Sequence, residues 1–514
     1  MAKKAQNLLP DAPSIRLLQH PGRISTATLG KTEHLLVVFP EKPAAPAWRQ
    51  CPDGARLSDL RKRRKSGDVL NTRLHNPAGT GVTAGFLPGS KNGKTLPDRF
   101  SVLSFAGKLA AAARKDNPAS IAVLVAGFSP EHAQSLYQDL VLAVRAHFFS
   151  LPAFTSKPTP AARLRSVKLC GFGERMDLDR QTAEADAVNI ARWLTALPPN
   201  KLDARGYRQT IETMAKTRGW DCNFLTEQKL RRLNAGAFLA VAQGNATNDA
   251  GIMHLRYRPA GSPKKRPPLF SLVGKGIIFD TGGTNLKPFK AMLDMHCDMA
   301  GSAVAVATLS ALSDLQYPHP VDCWLAITEN RLSNDAYKSR DVVTASNGTT
   351  IEIIHTDAEG RMALADTLAL AGREKPKAII DFATLTGSCV AALTDRYSGA
   401  FSNRSELGQQ LIEAGRESGE RVWPFPLDDD FDDDIKSEAA DVLQCATSGG
   451  GDHIQAARFL QRFVPDKSTW VHLDLSAATR TGGLAQVPTE ITGFGVRYAL
   501  QLILEHETAL TGGH

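Results

Sequence analysis

The chain has 514 residues, 42% apolar and 22% charged, with a net charge of +8 and seven cysteines. That balance excludes a disordered or disulfide-stapled protein and allows about three domains of ~150 residues, each with its own core. The cysteine count is odd and no two form a CxxC pair, which favours free thiols in a reducing cytoplasm.

The charge is uneven. Residues 1–170 carry 25 Lys and Arg against 10 Asp and Glu, a net +15, and the remainder nets −7. An anionic partner for the basic front and a plain solvated basic face are both open readings, of which the solvated face is favoured. The longest apolar run, Ile121 to Phe128, falls short of the ~18 residues a membrane helix needs. No apolar stretch follows the basic Met1-Ala-Lys-Lys4, so neither a membrane partner nor a secretory signal is expected.

In chain order, residues 34–40 read as a strand ended by Pro40. Arg61 to Lys65 is a basic run on a surface helix or loop. Residues 76–99, rich in Gly, Pro, Asn and Lys, predict a long loop. A strand over 121–127 and a helix over 131–149 follow. The segment 151–160 has three prolines and is the linker candidate. After it come a strand near 167–171 and a helix over about 177–197, ended by Pro198-Pro199. Beyond Pro267, apolar strands at 269–280, 321–329, 350–355 and 378–383 alternate with helical patterns. The expected class is α/β with two domains. A small basic N-terminal α/β domain covers 1–165. A C-terminal catalytic domain covers 176–514, with a mixed, largely parallel central sheet flanked by helices and its site beyond the carboxyl ends of strands.

Several motifs are empty. Gly89 to Thr95 is one residue short of a phosphate-binding loop, and there is neither an H-E-x-x-H zinc motif nor a nucleophile elbow. Asp428 to Asp434 lacks the glycine and spaced glutamate of a calcium loop.

Two segments carry chemistry. The first is Val273-Gly-Lys275-Gly-Ile-Ile-Phe-Asp280-Thr-Gly-Gly-Thr-Asn-Leu-Lys287-Pro, followed by Met295-His-Cys-Asp298-Met-Ala-Gly301. The second is Ile353-Ile-His355-Thr-Asp357-Ala-Glu359-Gly-Arg361-Met362. If its backbone is extended, Asp357, Glu359 and Arg361 point to one side. Four carboxylates near strand ends repel one another unless positive charge sits among them. Two hard divalent cations supply that charge and lower the pKa of a shared water. Salt bridges from these acids to Lys275, Lys287 and Arg361 are the bland alternative.

These segments resemble the leucyl aminopeptidases of the cytosol aminopeptidase family. His355-Thr-Asp-Ala-Glu-Gly-Arg-Met362 is similar to that family's N-T-D-A-E-G-R-L. Further agreement lies at Lys275 to Pro288, Leu197 to Asn200, Gly236 to Gly244, Ala383 to Gly387 and Trp470 to Asp474, within about residues 176–504. The resemblance implies a peptide substrate with a free N-terminus, attacked by water shared between two divalent metals, Mn or Zn. It implies that Asp280 and Glu359 bridge the metals. Lys275 and Asp298 complete one site and Asp357 serves the other. Lys287 would stabilise the oxyanion, and Arg361 would hold a bicarbonate that relays a proton. Met295, Thr384, Leu385, Gly387 and Ser476, with Thr479 beside it, would shape the first side-chain pocket. A homohexamer of two stacked trimers is also implied.

Four residues depart from the family pattern. Ser476 and Thr479 are polar where it is usually apolar, and His355 replaces asparagine, as a donor to a metal-bound carboxylate or as filler. Met362 for leucine is a packing swap. A two-metal phosphoesterase and a DNA-binding role are the rival readings.

Overall fold

A computed structural model of the chain describes residues 8–10, 15–63, 68–90, 93–157, 160–263 and 265–512. Met1 to Lys4, Arg64, Lys65, Lys91 and Asn92, which belong to sequence features noted above, lie outside the described residues. The chain forms two compact units. One comprises residues 11–186 and 481–490, the other residues 1–10, 187–480 and 491–514.

In the first unit β1 (Arg16–His20), β2 (His34–Pro40), β3 (Val69–Arg73), β4 (Gly81–Leu87), β5 (Ser120–Val125) and β6 (Ser166–Cys170) form one sheet. Its order is β1-β6-β5-β2-β4-β3, parallel except for the β3–β4 pair. Both faces are covered, which is why β2 reads as an unbroken apolar run. Leu36 and Val38 join a core with the helices Arg99–Arg114 and Pro130–His147. Leu35, Val37 and Phe39 join the opposite core, with Ala47 and Leu57.

Two expectations change here. The loop predicted over 76–99 contains β4, buried along its whole length. Its glycines mark close packing: a Cβ on Gly85 would sit 2.6 Å from a Leu109 methyl and 2.7 Å from the Phe105 ring. The proline-rich segment 151–160 joins two strands of one sheet, because β6 beyond it pairs with β5 and β1.

The second unit contains β7 (Asp221–Thr226), β8 (Gly251–Tyr257), β9 (Phe270–Asp280), β10 (Val321–Asn330), β11 (Val342–Thr344), β12 (Thr350–Glu352), β13 (Ala378–Ala383), β14 (Ser398–Ser402), β15 (Val422–Pro424), β16 (Val442–Leu443) and β17 (Thr469–Asp474). Eight of them form a sheet in the order β15-β14-β17-β13-β9-β10-β8-β7. The central four, β17, β13, β9 and β10, are mutually parallel, and antiparallel pairs flank them, so the sheet is mixed and largely parallel as expected. A small sheet β11-β12-β16 lies apart.

The strand predicted over 350–355 stops at Glu352. Beyond it the amides of Ile354 and His355 both donate to the Gln444 side-chain oxygen at 3.0 Å instead of to a neighbouring strand. The stretch Met295–Asp314 is helical, and its length and composition suffice for a membrane span although it is not a continuous apolar run. It is 83% buried, as a core helix is. Ala300–Asp314 packs on β9, where a Cβ on Gly274 would sit 2.4 Å from Ser302 Cα.

Candidate metal centre

The chemistry-bearing residues gather at the carboxyl ends of the central strands. β9 carries Lys275 within it and Asp280 as its last residue. Lys287 follows in the turn, and Asp298 sits in the short helix Met295–Met299. Asp357 lies in a turn, and Glu359 and Arg361 lie in the first turn of the helix Glu359–Gly372. The extended alternation proposed for Asp357, Glu359 and Arg361 is therefore not what joins them. Asp357 and Glu359 meet because the chain turns into a helix there, and Arg361 takes a different partner. Gly360 makes the approach possible, since a Cβ on it would stand 2.6 Å from Lys275 Nζ.

Lys275, Asp280, Asp298 and Glu359 are buried. Lys275 Nζ lies 2.8 Å from Asp298 Oδ1 and 2.9 Å from Glu359 Oε1, and donates to the Thr384 carbonyl at 2.9 Å. Lys287 Nζ lies 2.8 Å from Asp280 Oδ2 and also pairs with Asp357. Carboxylate oxygens of Asp280, Asp357 and Glu359 lie within 4.8 Å of one another.

Burial and mutual repulsion act on Asp298, Asp357 and Glu359. Asp357 is pushed up to about 6 by burial and by Asp280, against the pull of Lys287. Burial raises Asp298 well above the usual carboxylate range despite Lys275, and burial together with Asp280 raises Glu359. Burial alone would lower both lysines, but the carboxylates around them outweigh it and hold both ammonium forms.

Two lysines thus stand where the acids demand positive charge. Asp298 Oδ2 and Glu359 Oε2 remain buried without a hydrogen-bond partner among the described residues. Oxygen donors this crowded, with unused lone pairs, fit hard divalent cations.

Supporting groups surround the cluster. Thr384 Oγ1 donates to Asp298 Oδ1 at 2.7 Å. The buried Asp474 accepts from the amides of Leu385 and Thr386, fixing the loop that ends in Gly387. Ser476 is buried, its hydroxyl bonded to the Tyr397 carbonyl at 3.1 Å and beside Cys389 Sγ at 3.3 Å. Met295 is partly buried one turn before Asp298, and Thr479 bridges to Ile491. His355 is exposed, and its ring accepts the Asp357 amide at 3.3 Å rather than donating to a carboxylate. Met362 is buried in the core.

Arg361 pairs with none of the cluster acids. Its Nη2 donates to both oxygens of Asp452, at 2.7 and 2.9 Å. Four contributors escaped the sequence reading. Asn330, the last residue of β10, donates to Asp280 Oδ1 at 2.8 Å and to the Thr356 carbonyl at 2.9 Å. Tyr337 donates to that carbonyl as well. Gln444 ties the 354–358 turn, and Asp452 holds Arg361. Only Asn330 had a usable signal, its place at a strand end beside Asp280.

Known proteins resemble this chain in sequence and in fold. The family model described as cytosol aminopeptidase family, catalytic domain, matches residues 189–500, more than half of the chain. A probable cytosol aminopeptidase from Syntrophotalea carbinolica is 43% identical over 317 residues, which span 62% of this chain and 63% of that protein. A solved tomato leucine aminopeptidase variant superimposes with a TM-score of 0.82 at 28% identity, covering 96% of this chain and 97% of the other. A bottromycin maturation enzyme in complex with Mn gives a TM-score of 0.77 at 29% identity, covering 91% and 98%. By sequence and by fold, the chain belongs to the cytosol aminopeptidase family.

Proposed function

We propose that the chain is a metal-dependent aminopeptidase that releases single residues from the free N-terminus of peptides. The observation that carries this reading is the buried set of four carboxylates and two lysines at the strand ends, in a chain of this family. Asp280 and Glu359 would hold both of two divalent ions; Lys275, as the neutral amine favoured when a cation's charge stands in for its proton, would complete one site with Asp298, and Asp357 would serve the other. When bound, such ions supply Lewis acidity and a water of lowered pKa. Mn is the first candidate, supported by the Mn complex of the bottromycin maturation enzyme, and Zn the second.

The residues then divide the work. Lys287, paired here with Asp280 and Asp357, would use its ammonium charge to stabilise the oxyanion formed at the scissile carbonyl. Thr384 holds Asp298 in place. Thr384, Leu385, Gly387, Met295 and Ser476 form the first side-chain pocket. The Ser476 hydroxyl is already bonded within the protein, so it demands no polar partner from the substrate, which supports acceptance of apolar N-terminal residues such as leucine. The bicarbonate expected at Arg361 meets a guanidinium already paired with Asp452, and it has no part in this scheme.

A cytoplasmic location and a hexameric assembly go with this reading, and sedimentation of the purified protein tests the second. DNA binding by the basic front of the chain is kept as a second role on its net charge of +15 over residues 1–170. Its mark would be affinity that falls steeply with salt. The activity is tested by offering leucyl anilide and an aryl phosphate to the metal-loaded protein. Release of the aniline alone is expected, and release of phosphate alone would move the reading to a phosphoesterase.

A further inference from the structure

Amide hydrolysis needs a group that takes a proton from the attacking water and returns it to the departing amine. Each acid of the cluster faces a lysine and is claimed as a cation ligand. Of the carboxylates outside that set, the buried Asp474 is spent on the amides of Leu385 and Thr386 and the Thr386 hydroxyl, which leaves Asp452. Asp452 opens the helix Asp452–Gln461, after the run Gly449-Gly-Gly451.

Arg361 is 2% exposed, and Asp452 is its ion-pair partner. Arg361 lies two residues beyond Glu359 in the same helical turn. Its Nη1 donates to the Gln444 carbonyl at 3.2 Å, and the Gln444 side chain binds the carbonyl of Ala358 and the amides of Ile354 and His355. Asp452 is thereby tied to the turn that carries Asp357 and Glu359. On its other side, His453 Nδ1 lies 2.6 Å from Ser388 Oγ, one residue beyond Gly387 of the pocket loop. The Asp452 side chain stays 44% exposed, so water reaches a carboxylate whose position is fixed.

We propose that Asp452 is the proton-accepting residue of this hydrolase, a carboxylate that the chain itself holds on Arg361, and that no bicarbonate is bound there. This rests on the aminopeptidase reading. As the water oxygen bonds to the scissile carbonyl carbon, one water proton passes to Asp452. The carbon–nitrogen bond then breaks, the carbonyl re-forms as a carboxylic acid, and the same proton goes to the leaving nitrogen. Asp452 is thus regenerated as carboxylate, and Arg361 is its positioning residue. A separate anion does not fit, because the buried guanidinium already has its counter-charge.

The test uses the full-length, metal-loaded protein in carbonate-free buffer, with Asp452→Asn and Asp452→Gly. Metal content and melting temperature are measured alongside. The wild type should hydrolyse leucyl anilide at a rate that added bicarbonate does not change. Asp452→Asn should lose on the order of 10²-fold in kcat, the usual size of a general-base contribution, with KM shifted less than about threefold. Asp452→Gly should lose as much and recover by about tenfold or more when bicarbonate is added. In the zinc-loaded proteins, 13C-bicarbonate should be broadened in NMR by Asp452→Gly and not by the wild type. Full kcat in a metal-replete Asp452→Asn, or bicarbonate activation and binding in the wild type, would overturn the inference. A wild type inactive with every metal would overturn the aminopeptidase reading and this inference with it, a result distinct from an active enzyme indifferent to Asp452.

Discussion

At the scale of single residues, the centre is governed by the cost of burying charge. Lys275 and Lys287 are tolerated there because each meets two carboxylates, and the carboxylates because each meets a lysine. The two lysines nevertheless differ in exposure: the Lys275 side chain is 4% exposed and that of Lys287 13%. This matches a ligand inside a strand and an ammonium at the mouth of the site. Lys287→Ala should lower kcat by roughly 10²- to 10³-fold, the range for removing an oxyanion donor, while metal content measured by elemental analysis is unchanged. The Asp357 carboxyl, held up to about 6, must give up its proton to take a cation. Uptake of Mn by the stripped protein should therefore weaken as pH falls through about 6, and proton release on Mn binding should grow over the same range. Titration calorimetry at pH 5.5 and 7.5 in two buffers of different ionisation enthalpy measures both.

At the scale of elements, glycines decide where helices and strands meet. Gly360 begins a helix in which alanine is the better helix former. Gly360→Ala should leave the melting temperature level or slightly higher, yet weaken metal binding, because the new methyl displaces Lys275 Nζ from 2.6 Å away. Gly85→Val should instead destabilise the first unit by about 1–3 kcal/mol through overpacking against Leu109 and Phe105, read by thermal melting. These glycines also show what the sequence could convey. β9, β10 and β13 were legible because buried parallel strands are continuous apolar runs, and the clustered acids and lysine because such groups at strand ends are chemically conspicuous. β4 was not, since Gly81, Gly85 and neighbouring turn residues read as loop when only the packed partner reveals their role. The spacing of Asp357, Glu359 and Arg361 suggested one shared face, but a turn running into a helix separates Arg361 from the other two. Asp452 lies 91 residues from Arg361 after a glycine run, and no local pattern links them.

At the scale of the whole molecule, the second unit gathers the carboxyl ends of parallel strands into one place. β9 delivers Asp280, β10 delivers Asn330 to orient it, and the loop after β13 delivers Thr384. Ligands at such an edge belong to a sheet whose strands point the same way, as in other α/β enzymes. In the proposed function, two divalent ions at Lys275, Asp280, Asp298, Asp357 and Glu359 would make this chain an aminopeptidase. The most direct measurement strips the protein with a chelator, restores Mn, Zn or Co in turn, and follows hydrolysis of leucyl anilide beside its N-acetylated form. No cleavage by stripped protein and metal-restored cleavage of the free-amine substrate alone are expected. Equal cleavage of the acetylated form, or no cleavage by folded protein with any of the metals, would contradict that function.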